Sequence, residues 1–355
     1  MINSFSIKNF KQFKSLEVEG ITPITIIGGK NNTGKTTILE AVFFFYDRGN
    51  PEVTIRQLFL RGFNPITVSP LGLWAPIFHA YDISKNIDIE LKDDSRVEKL
   101  TTKHNHNFQR PLKPQLLIED TSQIQSNIDF FYPTEALDLE HFVDKKLNGK
   151  LHLVIEGNEV VIDEEKKIYN SKKRVKCLLG NKINPNDQVK WFGEIDIEGK
   201  VDELIDSVHI IEPRLKSLSL IPHGDRTLIY GDIGIGRKIP LSFLGEGTVK
   251  LVSIIMAILT TKNGIVLIDE IENGIHYSLH AKLWELLYEM SNKYNCQFFI
   301  TTHSYEILEH LRESKIKNPD QISYLRLDLE EDEIVPKIYS MEMLSAALER
   351  DWEVR

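Results

Sequence analysis

The stretch Gly29-Lys30-Asn31-Asn32-Thr33-Gly34-Lys35-Thr36 decides the reading of this chain. It fits GxxxxGK[ST] in full, behind a short apolar run at Ile24–Ile27 and ahead of helical spacing from Lys35 to about Tyr46. Glycine lets the backbone curl so that successive N–H groups point inward, and the helix N-terminus that follows adds a field favouring an anion. The pattern predicts a loop that cradles phosphates. Lys35 is expected to reach the β- and γ-phosphates, and the Thr36 hydroxyl to ligate Mg²⁺. On the helix, Ile38, Leu39, Val42 and Phe43 are expected to form the buried side.

Three further segments belong with that loop. Ile265–Ile268 is an apolar strand ending in Asp269-Glu270, whose carboxylates can reach a site at the carboxyl edge of a sheet. Asp269 is expected to hold Mg²⁺, directly or through water, and Glu270 to orient or deprotonate an attacking water. Phe298–Thr301 is a second buried strand, followed by Thr302-His303-Ser304, where His303 can contact a γ-phosphate and sense its loss. Leu241-Ser242-Phe243-Leu244-Gly245-Glu246-Gly247 is a glycine turn ahead of an apolar helix, Gly247 to Leu259: a second anion-binding N-terminus or a plain turn.

Around these motifs the N-terminal part alternates as strands Ile2–Phe10, Lys14–Val18 and Asn86–Leu91. From about Ser95 to Ser207 the pattern is mixed, with a strand at Lys150–Ile155 and a hairpin or helix on the outside at Asn158–Lys176. Regularity returns with helices at His276–Tyr294 and Ser304–Arg312, then strand, turn, strand and a terminal helix. Strands alternating with helices indicate an α/β core made from the two ends of the chain, with the middle inserted.

Composition sets the bounds. The chain has 355 residues, and 43 Lys and Arg against 52 Asp and Glu leave a net charge of −9. This argues against coating nucleic acid by bulk charge, though a local basic patch stays open. Cys177 and Cys296 form neither a CxxC nor a zinc spacing, which fits a reducing compartment. The start, MINSFSIKNFKQFK, has charges where a signal peptide needs an apolar stretch, and the apolar run from Leu251 to Ile268 is broken at Thr260–Gly264. A cytoplasmic protein without a membrane partner is expected.

With GGKNNTGKTT, IIEPRLKSL, IPLSFLGEGTVKL, GIVLIDEIENGIHYSLHAKLWELL, FFITTHSYE and ERDWEVR together, the chain resembles the ABC-type ATPase heads of RecF, SMC proteins and OLD-like ATPases. Short bacterial AAA-family, OLD-like ATP-binding proteins are the nearest likeness. The resemblance implies an α/β P-loop NTPase with mixed sheets and a large α+β insertion. Its lobes would be 1–94 and 208–355, with 95–207 as insertion or lid. It implies that Gly29 to Thr37 (Thr37 included) form the Walker A loop, that Asp269 is the Walker B acid, Glu270 the catalytic glutamate and His303 the switch histidine. Ser242, Gly245, Glu246 and Gly247 sit where a signature motif would contact ATP on the opposite subunit, and Glu272–His276 sit at the D-loop. The signature reads LGEG rather than LSGGQ, which leaves open whether Ser242 or Gly245 makes the contact. Gln57 is the nearest candidate for a Q-loop glutamine.

No long heptad region suggests SMC-like arms. Roughly 50 residues after His303 are too few for a fused nuclease domain. Neither Asn181-Lys182-Ile183-Asn184 nor Asn292-Lys293-Tyr294-Asn295 carries the acid of a guanine-reading NKxD, so ATP is favoured over GTP. Lys166, Lys167, Lys172, Lys173, Arg174 and Lys176 form a basic cluster for DNA or an acidic partner, or else a solvated mixed-charge face beside Asp163, Glu164 and Glu165; Tyr169 is its one aromatic. Arg56 and Arg61 are either arginine fingers or salt-bridge residues. Gly231–Gly236 reads as a turn, and Trp74, Trp191, Trp284 and Trp352 as packing residues.

The function expected is a Mg²⁺-dependent ATPase with composite sites between two heads. It would act as a nucleotide-gated sensor or scaffold in bacterial antiphage defence or a toxin–antitoxin-like pair with a separately encoded nuclease or toxin. The alternative is a RecF-like DNA-maintenance ATPase.

Overall fold

The computed structural model describes all residues except 63–68, 112–130, 169–172, 180–183, 211, 351 and 353–355, and the side chains of 111 and 131. Lys172 and Tyr169 of the basic cluster and Asn181–Ile183 therefore lie outside the described residues. The chain opens with β1 (Ile2–Phe10), β2 (Phe13–Glu19), β3 (Ile24–Gly29), α1 (Lys35–Tyr46), α2 (Val53–Phe59), α3 (Pro70–Trp74) and β4 (Ile87–Asp93). It continues with β5 (Val97–Pro111), β6 (Phe131–Val143), β7 (Lys146–Glu156), β8 (Glu159–Lys166), β9 (Val175–Leu178), α4 (Pro185–Ile197) and α5 (Val201–Val208). Then come β10 (Ser217–His223), β11 (Arg226–Asp232), β12 (Ile239–Pro240), α6 (Glu246–Leu259), β13 (Ile265–Ile268), α7 (His280–Tyr294) and β14 (Gln297–Thr301). The last elements are α8 (Tyr305–Glu313), β15 (Ile322–Glu330), β16 (Glu333–Ser340) and α9 (Met341–Glu349).

The central sheet runs β16-β15-β3-β14-β13-β9. Its strands are parallel except for the antiparallel edge pair β15–β16. Both faces of such a sheet must be covered, so its strands are continuous apolar runs. Residues alternate between two cores: Val266, Ile268, Phe298 and Ile300 face α6, α7 and α8, whereas Ile265, Leu267 and Phe299 face α1. On its other side α1 meets an antiparallel sheet ordered β2-β1-β4-β5-β6-β7-β8. Sandwiched between two sheets, α1 is buried from Thr37 through Phe45, all round rather than on the one side that its spacing predicts.

Residues 95–207 contribute to both sheets. Strands β5–β8 extend the N-terminal meander, β9 pairs in parallel with β13 at the edge of the central sheet, and α4 and α5 pack on α6. The outside hairpin or helix expected at Asn158–Lys176 is thus strand β8, followed by a return into the central sheet at Val175. Gly231 and Asp232 end β11, and the turn lies beyond them. Trp74, Trp191 and Trp284 are buried packing residues, whereas Trp352 is exposed. Both cysteines are free thiols. Among the described residues no helix is long and apolar enough to cross a membrane.

Candidate active site

The strand order β3-β14-β13 puts three carboxyl-terminal strand ends side by side. The loop Gly29–Gly34 leaves β3, Asp269-Glu270 leave β13, and Thr302-His303 leave β14. This is where ligands bind in open α/β sheets, because helix N-termini and strand-end side chains converge there. The loop turns through left-handed backbone at Asn32 and Gly34. Gly29 has φ +131°, and a Cβ there would lie 2.4 Å from the Leu327 carbonyl oxygen, so only glycine fits. The Thr33 hydroxyl donates to the Lys30 carbonyl at 2.9 Å and braces the turn from inside. Lys30, Asn31 and Asn32 are exposed along its rim.

Lys35 folds over the loop, its ammonium donating to the carbonyls of Gly29 (2.7 Å) and Lys30 (2.9 Å). Burial pushes its pKa below the ordinary lysine value, against the pull of Asp269, Glu270 and Glu272. The Thr36 hydroxyl meets both Asp269 carboxylate oxygens, at 3.1 and 3.2 Å. A hydroxyl and a carboxylate brought together at the end of a phosphate loop are hard oxygen donors, the set that Mg²⁺ requires. Thr37 instead turns into the core, donating to Gln12 at 3.3 Å and accepting from Arg61 at 3.4 Å.

Asp269 is buried, and burial raises its carboxyl pKa; bonds from Thr301 and Thr36 oppose the rise. The Thr301 hydroxyl donates to Asp269 Oδ1 at 2.5 Å and accepts the Glu270 backbone N–H at 2.8 Å. Glu270 sits at φ +47°, a conformation that a non-glycine residue adopts only when its surroundings hold it there. Asn273 donates to its carboxylate through the side chain and to its carbonyl through the backbone. The half-exposed His303 ring places Nδ1 3.2 Å from Glu272 and 4.0 Å from Glu270.

Sequence reasoning missed Lys250. From α6 its ammonium reaches the carbonyl oxygens of Asp269 (3.4 Å) and Glu270. Burial lowers its pKa, while Glu272, Glu270 and Asp269 pull the other way. Two cations, Lys35 and Lys250, thus face three carboxylates. Thr301 was missed as well, and Glu272 and Asn273, expected only as part of the D-loop, were not foreseen as partners of His303 and Glu270: a threonine at a strand end and polar residues in a loop carry no signal for such contacts.

Other expected residues are placed elsewhere. Ser242 and Gly245 are exposed, Phe243 beside them is 75% exposed, and no described hydrogen bond or ion pair joins this turn to the loop at Gly29–Thr37. Glu246 and Gly247 pack on Gly274 instead. Gln57 is fully buried, accepts from Lys11 at 3.0 Å and cannot serve as a Q-loop contact at this site. Arg56 reaches both Asp47 oxygens through Nη1, and Arg61 pairs bidentately with Glu40 through Nε and Nη2, so both are salt-bridge residues here. They line a cavity of about 1740 Å³ that also reaches Thr36, Asp269 and Glu270. In the basic cluster, Lys173 faces Asp93, while Arg174 and Lys176 both face Glu194.

Comparison with known proteins places the chain among ATPases. A family model described as "AAA ATPase domain" matches residues 1–188, more than half of the chain. A second, "AAA domain, putative AbiEii toxin, Type IV TA system", matches residues 185–309. A Helicobacter pylori protein named "ATP/GTP phosphatase" is 24% identical over 386 aligned positions, covering 99% of each chain. Among solved structures, an SMC head bound to the C-winged helix domain of ScpA matches with 12% identity over 97% of this chain and 99% of the other, TM-score 0.49. The SMC head domain from Thermotoga maritima matches with 13% identity over 96% and 98%, TM-score 0.41. A complete phosphate loop, a strand-end acid pair and a histidine on the strand between them are thus carried by a chain that belongs to the AAA ATPase domain family and is an ATP-hydrolysing P-loop protein of α/β fold.

Proposed function

We propose that this ATPase hydrolyses Mg²⁺-bound ATP at composite sites between two copies of the head. One observation carries the reading: Gly29–Thr36, Asp269, Glu270 and His303 converge in one chain, while Ser242, Gly245 and Phe243 are exposed and no described hydrogen bond or ion pair joins them to that chain's own loop. A turn that opens a 14-residue helix and leaves an aromatic exposed fits a second phosphate contact supplied in trans.

Each side chain then has a role set by its position. Loop N–H groups and the α1 N-terminus hold the phosphates. Lys35 exchanges its two loop carbonyls for the β- and γ-phosphate oxygens. Thr36 and Asp269 hold Mg²⁺, which neutralises phosphate charge. Glu270 takes the proton of the attacking water, held in place by Thr301 and Asn273. His303 lies where γ-phosphate loss would alter its contact with Glu270. Of the resemblance's contacts, Thr37 acts from behind, through Gln12 and Arg61.

Nucleotide bridging would close a dimer of heads or a higher oligomer, and hydrolysis would release it. The setting proposed is cytoplasmic: a sensor or scaffold paired with a separately encoded nuclease or toxin, in antiphage defence or a toxin–antitoxin-like pair. The description of the model matching residues 185–309 supports this role. A RecF-like DNA role gains less, because Lys173, Arg174 and Lys176 already face Asp93 and Glu194.

The test is ATP and GTP turnover against protein concentration for wild type and Glu270→Gln, with sizing by light scattering in each nucleotide. Specific activity rising with concentration, and a fall of at least roughly 10²-fold in the variant with ATP-held dimers, is expected. Near-normal turnover in Glu270→Gln would sink the catalytic assignment. Constant specific activity in a chain that stays monomeric with ATP would sink the composite site. Salt-sensitive duplex binding stimulated by ATP would favour the DNA role.

A further inference from the structure

On the antiparallel sheet, His104 and His106 of β5 meet Glu135 of β6. The register accounts for the meeting. His104 lies opposite Leu137, so Glu135, two residues earlier on its strand, shares the His104 face; His106, two residues along β5, shares it too. The pairing is irregular between Asn105 and Phe108, which gives β5 extra length where His106 must turn toward its neighbours. The two imidazole rings stand 4.1 Å apart between centroids, at 73°. One ligand atom from each of the three side chains lies within 4.8 Å of the others.

One of these groups is incompletely satisfied. The His104 side chain is 2% exposed, edge-on to the buried Trp74 ring at 5.6 Å. Its Nε2 meets Glu135 at 3.1 Å, but Nδ1 has no hydrogen-bond partner. Leaving a buried polar nitrogen unpaired costs about 1–3 kcal/mol, and native structures rarely leave such an atom without a reason.

We infer that His104, His106 and Glu135 form a binding site for a divalent transition metal of the Zn²⁺ class, clamping β5 to β6. Two imidazoles and one carboxylate suit Zn²⁺ and its neighbours, whereas Mg²⁺ and Ca²⁺ demand oxygen donors throughout. Three protein ligands leave a fourth position for water, on the side of the exposed His106. Bonds of about 2.0–2.1 Å require ligand atoms roughly 3.3 Å apart, so the group closes by up to about 1.5 Å around the metal, a movement that rotation of the exposed His106 side chain can supply. This nitrogen-containing set is distinct from the oxygen pair Thr36 and Asp269, and selects a different ion.

The test uses the tag-free full-length chain without nucleotide, titrated with ZnCl₂ against a chromophoric chelator, and with CoCl₂ for the visible spectrum of a four-coordinate ion. One Zn²⁺ per chain is expected, weakened at least about tenfold in His106→Ala and in Glu135→Gln and unchanged in Asp269→Asn. Zn²⁺ should raise the melting temperature of the wild type and leave that of His106→Ala unmoved. His106 is exposed, so its removal leaves the sheet intact and the variant readable. Wild type without bound Zn²⁺, equal affinity in both His106→Ala and Glu135→Gln, or Zn²⁺ lost in Asp269→Asn but kept in His106→Ala would each overturn the inference.

Discussion

Thr301→Val tests the brace beneath the acid pair. The substitution keeps the shape of the side chain and removes its hydroxyl, which donates to Asp269 at 2.5 Å and accepts the Glu270 N–H at 2.8 Å. Thr301 is 1% exposed, so no water replaces either bond. Losing a hydrogen bond to a charged group costs about 1.5–3 kcal/mol, and orphaning a buried N–H about 1–3 kcal/mol. The added methyl returns about 0.8 kcal/mol of burial. The net loss is about 2–5 kcal/mol, a large part of the roughly 5–15 kcal/mol that holds a domain folded. Thr301→Ser keeps both bonds and loses one methyl, a cost of about 1 kcal/mol. Urea unfolding of the three proteins without nucleotide, followed by circular dichroism and tryptophan fluorescence, gives the comparison; coincident transitions license the free energies. Turnover should follow the same order, because Glu270 at φ +47° is then freed from one of its holds. If the valine variant is no less stable than the serine variant, the hydroxyl contributes nothing and the argument fails.

Three other changes probe the same network. Gly247→Ala puts a Cβ 2.1 Å from the Gly274 carbonyl oxygen, so α6 must shift by about 1 Å against the loop at Glu272–His276; we expect a loss of about 1–3 kcal/mol in urea and depressed turnover at every protein concentration. Lys250→Met removes the ammonium that reaches the Asp269 and Glu270 carbonyls; kcat should fall at least about tenfold, with ATP affinity, read by calorimetry, far less affected. For Asp269, burial raises the folded carboxyl pKa, so the native apo chain binds this proton more tightly than the unfolded chain. Its ionisation therefore lowers stability as pH rises from the ordinary carboxylate value through the raised one, and the penalty persists at neutral pH. Asp269→Asn should accordingly be more stable than wild type at pH 7 without Mg²⁺, lose that advantage under acid, and fail to hydrolyse ATP; urea midpoints across pH decide it.

The parts of the site that the sequence makes visible are those written in consecutive residues. Gly29–Thr36 needs only its flanking strand and helix to be read, and α1 begins at Lys35 and ends at Tyr46 where the pattern puts its bounds. Asp269-Glu270 and His303 are legible because each ends an apolar strand, and the central sheet sets those strand ends side by side. What stayed hidden depends on long-range pairing. Val175–Leu178 is too short and too mixed, with Lys176 and Cys177, to read as a core strand; it becomes one because parallel pairing with β13 buries one face while Lys176 covers Trp191 at 5.0 Å. Arg61 reads as a salt-bridge residue or an arginine finger until α2 folds against α1 and delivers it to Glu40.

The hidden residues share a physical task. The motif names Glu270, but a carboxylate in left-handed backbone beside Asp269 and Glu272 is unfavourable on both backbone and electrostatic grounds. Three elements compensate: Thr301 on β14 takes its N–H, Lys250 on α6 its carbonyl, and Asn273 in the following loop its carboxylate. All three lie in or beside motif segments, but no motif assigns them a role toward Glu270, because that role depends on contacts between separate elements. Lys250 connects the helix that follows the exposed turn at Ser242–Gly245 to Glu270, the residue proposed to activate water. A second head that contacts Ser242–Gly247 would therefore act on α6, and through Lys250 on the backbone of Glu270 itself. Catalysis that waits for a partner needs such a path.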